Sequence, residues 1–402
     1  MKALLLENIH PEATRVLADA GYEVEQVPGA LSGSALIAKL DGVDLVGIRS
    51  RTTFTAEVIE KMPDSVKAIG AFCIGTNQID LDAALLAGVP VFNAPYSNTR
   101  SVVELAIGEI IAMARKLCSN NADMHAGVWN KSANGSHEVR GRTLGIVGYG
   151  SIGSQLSILA EAMGMKVYFY DIVDRLALGN ARRCSSLEEL LIKAETVSLH
   201  VDGRPENTGF FGAREFAMMR PRSLFLNLSR GKVVDTDALA QALESGHLAG
   251  AAVDVFPTEP KSNNNPDDPF ESPLRGLDNV ILTPHVGGST QEAQFDIGGF
   301  VASKLANYVE TGSTETSVNF PEVHLTTREN AWRILHLHNN VPGALADLNN
   351  VFARHGANIV SQTLSTRGQL GYVITDVAAV SDGLIDEIAS LDETVKVRVV
   401  KL

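Results

Sequence analysis

Cysteine, basic side chains and long apolar runs are the scarce elements of this 402-residue sequence, and each scarcity narrows what the chain can be. Three cysteines, Cys73, Cys118 and Cys184, stand far apart with no paired spacing. That argues against a disulfide scaffold or a metal site and for a reducing compartment, so a cytoplasmic location is expected. Lys and Arg number 34 against 47 Asp and Glu, a net charge of −13. Nucleic acid is therefore not an expected partner, and an anionic substrate must find a local basic pocket inside a repelling field. No apolar run reaches the roughly 18 residues of a membrane helix, so no membrane association is expected. The opening residues hold no basic head, apolar middle and small-residue cleavage site, so no signal peptide is expected. Internal repeats and low-complexity tracts are missing too.

What remains is a globular composition, 45% apolar with 35 Gly and 15 Pro. At roughly 150 residues per domain, two or three domains are expected. The first stretch alternates short apolar runs with helical patterns. Strands are expected at Ala3–Leu6, Leu45–Ile48, Val66–Ala71 and Val89–Phe92, and helices at Pro11–Ala20 and Asp82–Ala87. Such alternation implies a parallel sheet covered on both faces. Ser101–Lys116 has helical spacing and is expected to bridge to a second α/β series. The strands of that series are Thr143–Gly148, Lys166–Tyr170, Thr196–Leu199, Leu224–Asn227, Gly250–Val255 and Asn279–Leu282. Gly312 to Arg328 is polar and reads as a linker. Beyond it the pattern is βαββαβ, the ferredoxin-like split arrangement: strands at Ala331–His338, Asn358–Ser365, Tyr372–Val377 and Val395–Val400, helices at Pro342–Arg354 and Leu384–Leu391.

The strongest motif is Gly148-Tyr149-Gly150-Ser151-Ile152-Gly153. It follows an apolar strand, opens a helix, and is succeeded by a second strand ending at Asp171, the context that dinucleotide binding requires. Gly148 permits the tight turn, Gly150 lets backbone approach a pyrophosphate, and Gly153 lets helix pack on strand. The helix N-terminus offers free N–H groups to the phosphates. Asp171 can accept both ribose hydroxyls and repels a 2′-phosphate, and no Arg follows it immediately, which favours NAD over NADP.

Three polar segments end strands of this second series, where ligands of open α/β sheets bind. They are Asn227-Leu228-Ser229-Arg230-Gly231, Asp254 to Pro260, and Pro284-His285 to Thr290. Their chemistry fits oxidation of a 2-hydroxy acid. Hydride leaves C2 only if the hydroxyl proton leaves too, which requires a base with a pKa near the working pH. His285 is of that type, and Glu259 can hold its ring and raise its pKa. Arg230 can fork onto the carboxylate and the C2 oxygen. In the first series, Arg49 and Arg51 flank Ser50 after a buried strand and can fork onto a phosphate. The backbone at Ile74-Gly75 can hold a carboxylate.

These motifs, with Asn93-Ala94-Pro95-Tyr96-Ser97-Asn98-Thr99-Arg100-Ser101 and Gly127-Val128-Trp129-Asn130-Lys131, resemble the D-2-hydroxyacid dehydrogenase family. Within it, the resemblance is to the phosphoglycerate dehydrogenases in their short bacterial form with a C-terminal ACT domain. The resemblance implies an α/β fold: two Rossmann-like or flavodoxin-like parallel-sheet domains plus the ferredoxin-like ACT domain. It implies a discontinuous substrate domain (1–95 and 286–325), an NAD-binding domain (96–285) and an ACT domain (326–402). The implied activity is NAD-dependent oxidation of D-3-phosphoglycerate to 3-phosphohydroxypyruvate, the first committed step of L-serine biosynthesis, with feedback by L-serine. The implied roles are Arg230 orienting substrate, Glu259 supporting His285, and His285 as acid/base. Asp254 is implied to contact the nicotinamide carboxamide, with Ser151, Ile152 and Gly287 at the cofactor and Asn98 and Lys131 at the substrate. The effector set is His338 and Asn340 from one chain with Asn358 and Ile359 from its partner, in a homotetramer. Two positions depart from the family pattern. Thr326-Thr327-Arg328-Glu329-Asn330 stands where a Gly-Gly hinge is expected, which puts transmission of inhibition in question. Pro28 stands where a basic residue is expected. Another D-2-hydroxyacid dehydrogenase, acting on glycerate, lactate or a 2-oxo diacid, is the alternative activity; an NADH-sensing binding protein is the alternative of another class.

Overall fold

Short runs that are apolar throughout become strands buried on both faces. Leu45–Ile48 and Ala68–Ala71 expose none of their residues, which is the signature of a parallel sheet sandwiched between helices. The computed structural model describes residues 1–260, 265–325 and 331–402. Two compact units result, Met1–Ser97 with Gln294–Leu402, and Asn98–Ala293.

In the first unit five parallel strands run in the order Glu23–Val27, Lys2–Leu6, Leu45–Ile48, Ala68–Ala71, Val91–Asn93. One face packs on Ala13 and Leu17 of the helix Pro11–Asp19 and on Val301 and Leu305 of the helix Gln291–Thr311. The other face packs on Leu36, Val58 and Ile59.

The expected linker is instead a packed strap as far as residue 325. Thr314, Asn319 and Phe320 are buried. Val318 N–H donates to Val91 O at 2.9 Å, and Asn319 Oδ1 accepts from Val91 N–H at 2.8 Å. The physical reason is the edge position of Val91–Asn93. Its outer N–H and C=O groups need partners, and the Ser, Thr and Asn side chains that read as solvent-facing supply them. The Thr326–Asn330 stretch that replaces the expected glycine hinge lies outside the described residues.

The same unit carries an antiparallel sheet in the order Ile359–Arg367, Leu370–Val377, Trp332–Asn339, Thr394–Lys401, with the expected βαββαβ connectivity. Ile334 and Val373 face the helices Ala344–Arg354 and Leu384–Ala389, while Leu335, Leu337 and Tyr372 pack on Phe320 and Val323. Arg333 and Asp376, 1% and 2% exposed, make a bidentate pair at 2.7 and 2.9 Å. Arg333 also donates to Thr311 O at 2.9 Å, and Tyr372 Oη donates to Gly312 O at 2.9 Å.

The second unit has seven parallel strands in the order Val280–Leu282, Leu248–Val253, Ser223–Asn227, Thr196–Leu199, Thr143–Val147, Lys166–Tyr170, Arg182–Arg183. The direction of winding reverses between Thr143–Val147 and Thr196–Leu199, the switch point where dinucleotides bind. The helix expected as a bridge, observed at Thr99–Ala114, belongs to this unit and packs beside the helix Ser151–Ala162.

Asp376→Ala leaves the Arg333 guanidinium buried without its carboxylate. Urea unfolding is expected to register a loss of about 3–5 kcal/mol, with most of it recovered by the apolar pair Arg333→Met, Asp376→Leu.

Candidate active site

The glycine-rich turn is built as its spacing requires. Gly148 sits at φ +90°, and a Cβ there would lie 2.6 Å from His200 O. A Cβ on Gly153 would collide with Gly148 O. Gly150 precedes the helix Ser151–Ala162 with nothing within 4 Å of where a Cβ would stand, so the space in front of the Ser151 and Ile152 amides is open. Asp171, at the end of the next strand, accepts from Tyr149 N–H at 2.7 Å and Val173 N–H at 2.9 Å. These residues fit a dinucleotide: an open helix N-terminus for the pyrophosphate and a carboxylate one strand away for the ribose. One feature escapes the sequence reading: Arg175 Nε lies 3.8 Å from Asp171 Oδ2, a cation four residues on rather than adjacent.

The loops at the ends of the neighbouring strands bring Glu259 and His285 together. His285 Nδ1 lies 2.9 Å from Glu259 Oε2 and 3.1 Å from Oε1, with half of the imidazole exposed. A carboxylate only accepts, so Nδ1 carries the hydrogen and Nε2 is left for a substrate proton. His285 holds φ +53°, a left-handed conformation uncommon outside glycine. The hydrogen bond that His285 donates to Glu259 raises the His285 pKa against desolvation. Burial works against the Glu259 charge, but the bonds from His285 and Phe256 N–H hold its pKa below the usual range. Arg230 lies close enough for its charge to act on both. Its loop is organised by Asn227, 1% exposed, whose Oδ1 accepts from Ser229 N–H and whose Nδ2 donates to Arg230 O.

Asp254, also 1% exposed, holds the His285 loop. Oδ1 accepts from Thr283 Oγ1 at 2.6 Å and Val286 N–H at 2.8 Å, and Oδ2 accepts from Gly287 N–H at 2.8 Å. One lone pair on Oδ2 remains for a carboxamide. The sequence reading also missed the chemistry of Glu109, which lies within the helical segment Ser101–Lys116. Glu109 is 4% exposed, its carboxyl has no hydrogen-bond partner among the described residues, and its pKa is pushed up to about 8 by burial and by the Asp254 charge. Asn98 precedes the helix Thr99–Ala114 with its Oδ1 buried and unpartnered. Lys131 is exposed, two residues after Trp129, which is 78% exposed.

In the first unit Arg49, Ser50 and Arg51 leave the strand Leu45–Ile48; Arg49 is half-buried and the other two are exposed. Among the described residues no acceptor takes the N–H of Ile74 or Gly75, while Ile74 O accepts from Asn93 Nδ2 at 2.6 Å. On the antiparallel sheet His338 is buried. Its Nδ1 bonds Asn339 O at 2.9 Å and its Nε2 has no partner. Asn340 lies beside it, exposed. Asn358 and Ile359 start the edge strand at the other end of the sheet, since Ile359 aligns with Val377 and Trp332 whereas His338 aligns with Gly371 and Thr366. One chain therefore does not assemble these four.

Glu259→Gln removes the charge that favours imidazolium, so the His285 midpoint in an NMR titration is expected to fall toward the ordinary value of about 6.5. An unchanged midpoint would deny the pair its electrostatic role.

A family model described as "D-isomer specific 2-hydroxyacid dehydrogenase, NAD binding domain" matches residues 107–287, and one for an "AHAS small subunit-like ACT domain" matches 334–396. The chain is 51% identical over 401 residues to D-3-phosphoglycerate dehydrogenase of Haemophilus influenzae, covering 99% of this chain and 97% of that one. It is 47% identical to the enzyme of that name from Dictyostelium discoideum, with the same coverage of both chains. Among solved structures, D-lactate dehydrogenase from Aquifex aeolicus, complexed with NAD and lactic acid, matches with a TM-score of 0.67 at 26% identity, covering 80% of this chain and 100% of that one. The chain belongs to the D-isomer specific 2-hydroxyacid dehydrogenases, an NAD-dependent family, in the branch whose curated members are named D-3-phosphoglycerate dehydrogenase.

Proposed function

We propose that the protein oxidises D-3-phosphoglycerate to 3-phosphohydroxypyruvate, the entry step of L-serine biosynthesis. The observation that carries this reading is near-full-length identity of about half the residues with D-3-phosphoglycerate dehydrogenases, on a chain whose His285 and Glu259 are hydrogen bonded in the unit that carries the dinucleotide turn. NAD, when bound, accepts the C2 hydride. His285 Nε2 takes the hydroxyl proton, the imidazolium so formed is stabilised by Glu259, and Arg230 orients the carboxylate and polarises the C2 oxygen. Asp254 holds the loop that carries His285 and keeps one acceptor site for the carboxamide. Arg49 and Arg51 take the phosphate, the free N–H groups of Ile74 and Gly75 take the carboxylate, and Asn98 and Lys131 assist at the substrate.

The ACT module is read as the regulatory site for L-serine. Support comes from the buried, unpartnered Nε2 of His338, and from Asn358 and Ile359 lying a strand length away, roughly 20 Å at the usual rise. Such a set closes only when two modules pair. Val360 and Leu364, 50% and 42% exposed on the edge strand, suit that pairing. The helix Leu117–His125, with no buried residue, and Trp129 after it suit a second contact between nucleotide-binding parts, giving a homotetramer in the cytoplasm.

The deciding assay follows NADH absorbance with D-3-phosphoglycerate, and with 3-phosphohydroxypyruvate in reverse. D-Glycerate, D-lactate and a 2-oxo diacid serve as competitors; turnover of these in preference, or of nothing, would overturn the reading. Arg49→Ala with Arg51→Ala is expected to raise KM for the phosphorylated acid by the equivalent of roughly 2–5 kcal/mol. L-Serine titrated to millimolar levels is expected to lower the initial rate, and Asn358→Ala to abolish that effect without changing the basal rate. Insensitivity of the unaltered protein would leave the ACT module a structural role.

A further inference from the structure

One buried carboxylate collects three main-chain N–H groups of a single short loop. Glu7, 2% exposed, follows the strand Lys2–Leu6. Its Oε1 accepts from Arg49 N–H at 3.2 Å and Thr52 N–H at 2.8 Å, and its Oε2 accepts from Arg51 N–H at 2.9 Å. On the other side of the loop Gln78, 7% exposed, donates from Nε2 to Arg49 O at 2.6 Å. The loop lies beyond the sheet ladder, which ends at Ile48, so these two side chains hold four of its backbone groups. Glu7 and Asn8 themselves take φ of +65° and +52°. Two consecutive non-glycine residues in the left-handed region are strained and persist where the surroundings over-determine them.

The consequence falls on the two arginines. Among the described residues Arg49 forms no ion pair, and Arg51 faces only Glu7, its Nε 3.7 Å from Oε2. With the backbone of 49–52 fixed by acceptors and donors from elsewhere, the guanidinium groups need no internal carboxylate to keep their spacing. Burial opposes the Glu7 charge, but the bonds from Thr52, Arg51 and Arg49 hold its pKa below the usual carboxylate range. It stays ionised at neutral pH as the acceptor that the loop requires.

We infer that Glu7, seconded by Gln78, is a positioning residue for phosphate recognition, fixing the loop from which Arg49 and Arg51 reach the substrate's phosphate. This rests on the reading of Arg49 and Arg51 given under the proposed function. An arriving phosphate competes with Glu7 for Arg51 only across the loose 3.7 Å contact, and leaves the three N–H bonds intact.

The test uses the full chain with saturating NAD. Glu7→Gln keeps an acceptor for Arg49 and Thr52 but turns a donor toward Arg51 N–H. KM for D-3-phosphoglycerate is expected to rise roughly tenfold, with kcat within about twofold and with Ki for D-glycerate, a competitor lacking the phosphate, unmoved. Gln78→Met, which loses only a neutral donor, is expected to move KM the same way by less, and decides the matter if Glu7→Gln does not fold. KM and Ki rising together, or neither changing, would reduce Glu7 to a structural role and overturn the inference. If the unaltered protein itself shows no preference for the phosphorylated acid over D-glycerate, the assignment of Arg49 and Arg51 falls first and takes this inference with it.

Discussion

Where a parallel strand ends, the chain leaves the hydrogen-bonded ladder and its next few N–H groups lose their partners. Function in an α/β protein is placed at those ends, so the loops that carry it begin with an unsatisfied backbone. This chain answers the problem repeatedly with a polar side chain positioned at the end of the same strand or of a neighbouring one. Glu7 takes the N–H groups of Arg49, Arg51 and Thr52; Asp254 takes those of Val286 and Gly287; Asp171 takes those of Tyr149 and Val173; Asn227 takes that of Ser229. Charge-assisted bonds of this kind are about twice as strong as neutral ones. A loop tied down by two or three of them presents its side chains from a fixed base.

The cost of the arrangement is buried negative charge, and the structure manages it by a division of labour. Asp254 has three donors on its two carboxylate oxygens. Glu109, near it and without a donor, is pushed up to about 8 and is predominantly neutral at pH 7. Two ionised carboxylates would repel across a low-dielectric interior, and the one lacking hydrogen bonds takes up the proton. The overall charge of −13 therefore says little about the polarity met by an anion at Arg49, Arg51 or Arg230.

This explains which parts of the site were legible in the sequence. The glycine turn, Asp171, His285 and Glu259 are recognisable because their residue types are restricted by the chemistry and their spacing by strand, turn and helix. Glu7, Asn227 and Gln78 carry no such mark. A lone acid after a short strand reads as solvent-facing, and only the fold brings it beneath a loop 42 residues away. The same confusion of polarity with exposure turned the Gly312–Leu325 strap into an expected linker, although its side chains satisfy the edge of Val91–Asn93. The strand Glu23–Val27 went unseen for the converse reason: it lies at the sheet edge, exposes Glu23 and Gln26, and lacks the apolar run that marks its buried neighbours. Interior strands, the glycine turn and the Glu259–His285 contact were legible, whereas the polar groups that complete edges and loop ends were not.

The ACT module illustrates how far such groups determine mechanism. Its sheet is fastened to the carbonyl end of the helix Gln291–Thr311 by Arg333, which donates to Thr311 O, and by Arg398, which donates to Tyr308 O at 2.8 Å and stacks 4.6 Å over the Tyr308 ring. A helix C-terminus carries partial negative charge and free carbonyls, so two guanidinium groups there are favoured electrostatically as well as by geometry. Asp376 fixes the first of them in place, and Tyr372 bonds the next carbonyl, Gly312 O. Of these groups Arg333 stands on Trp332–Asn339, the strand that also bears His338, so that strand is joined directly to the helix end by a buried guanidinium–carbonyl contact.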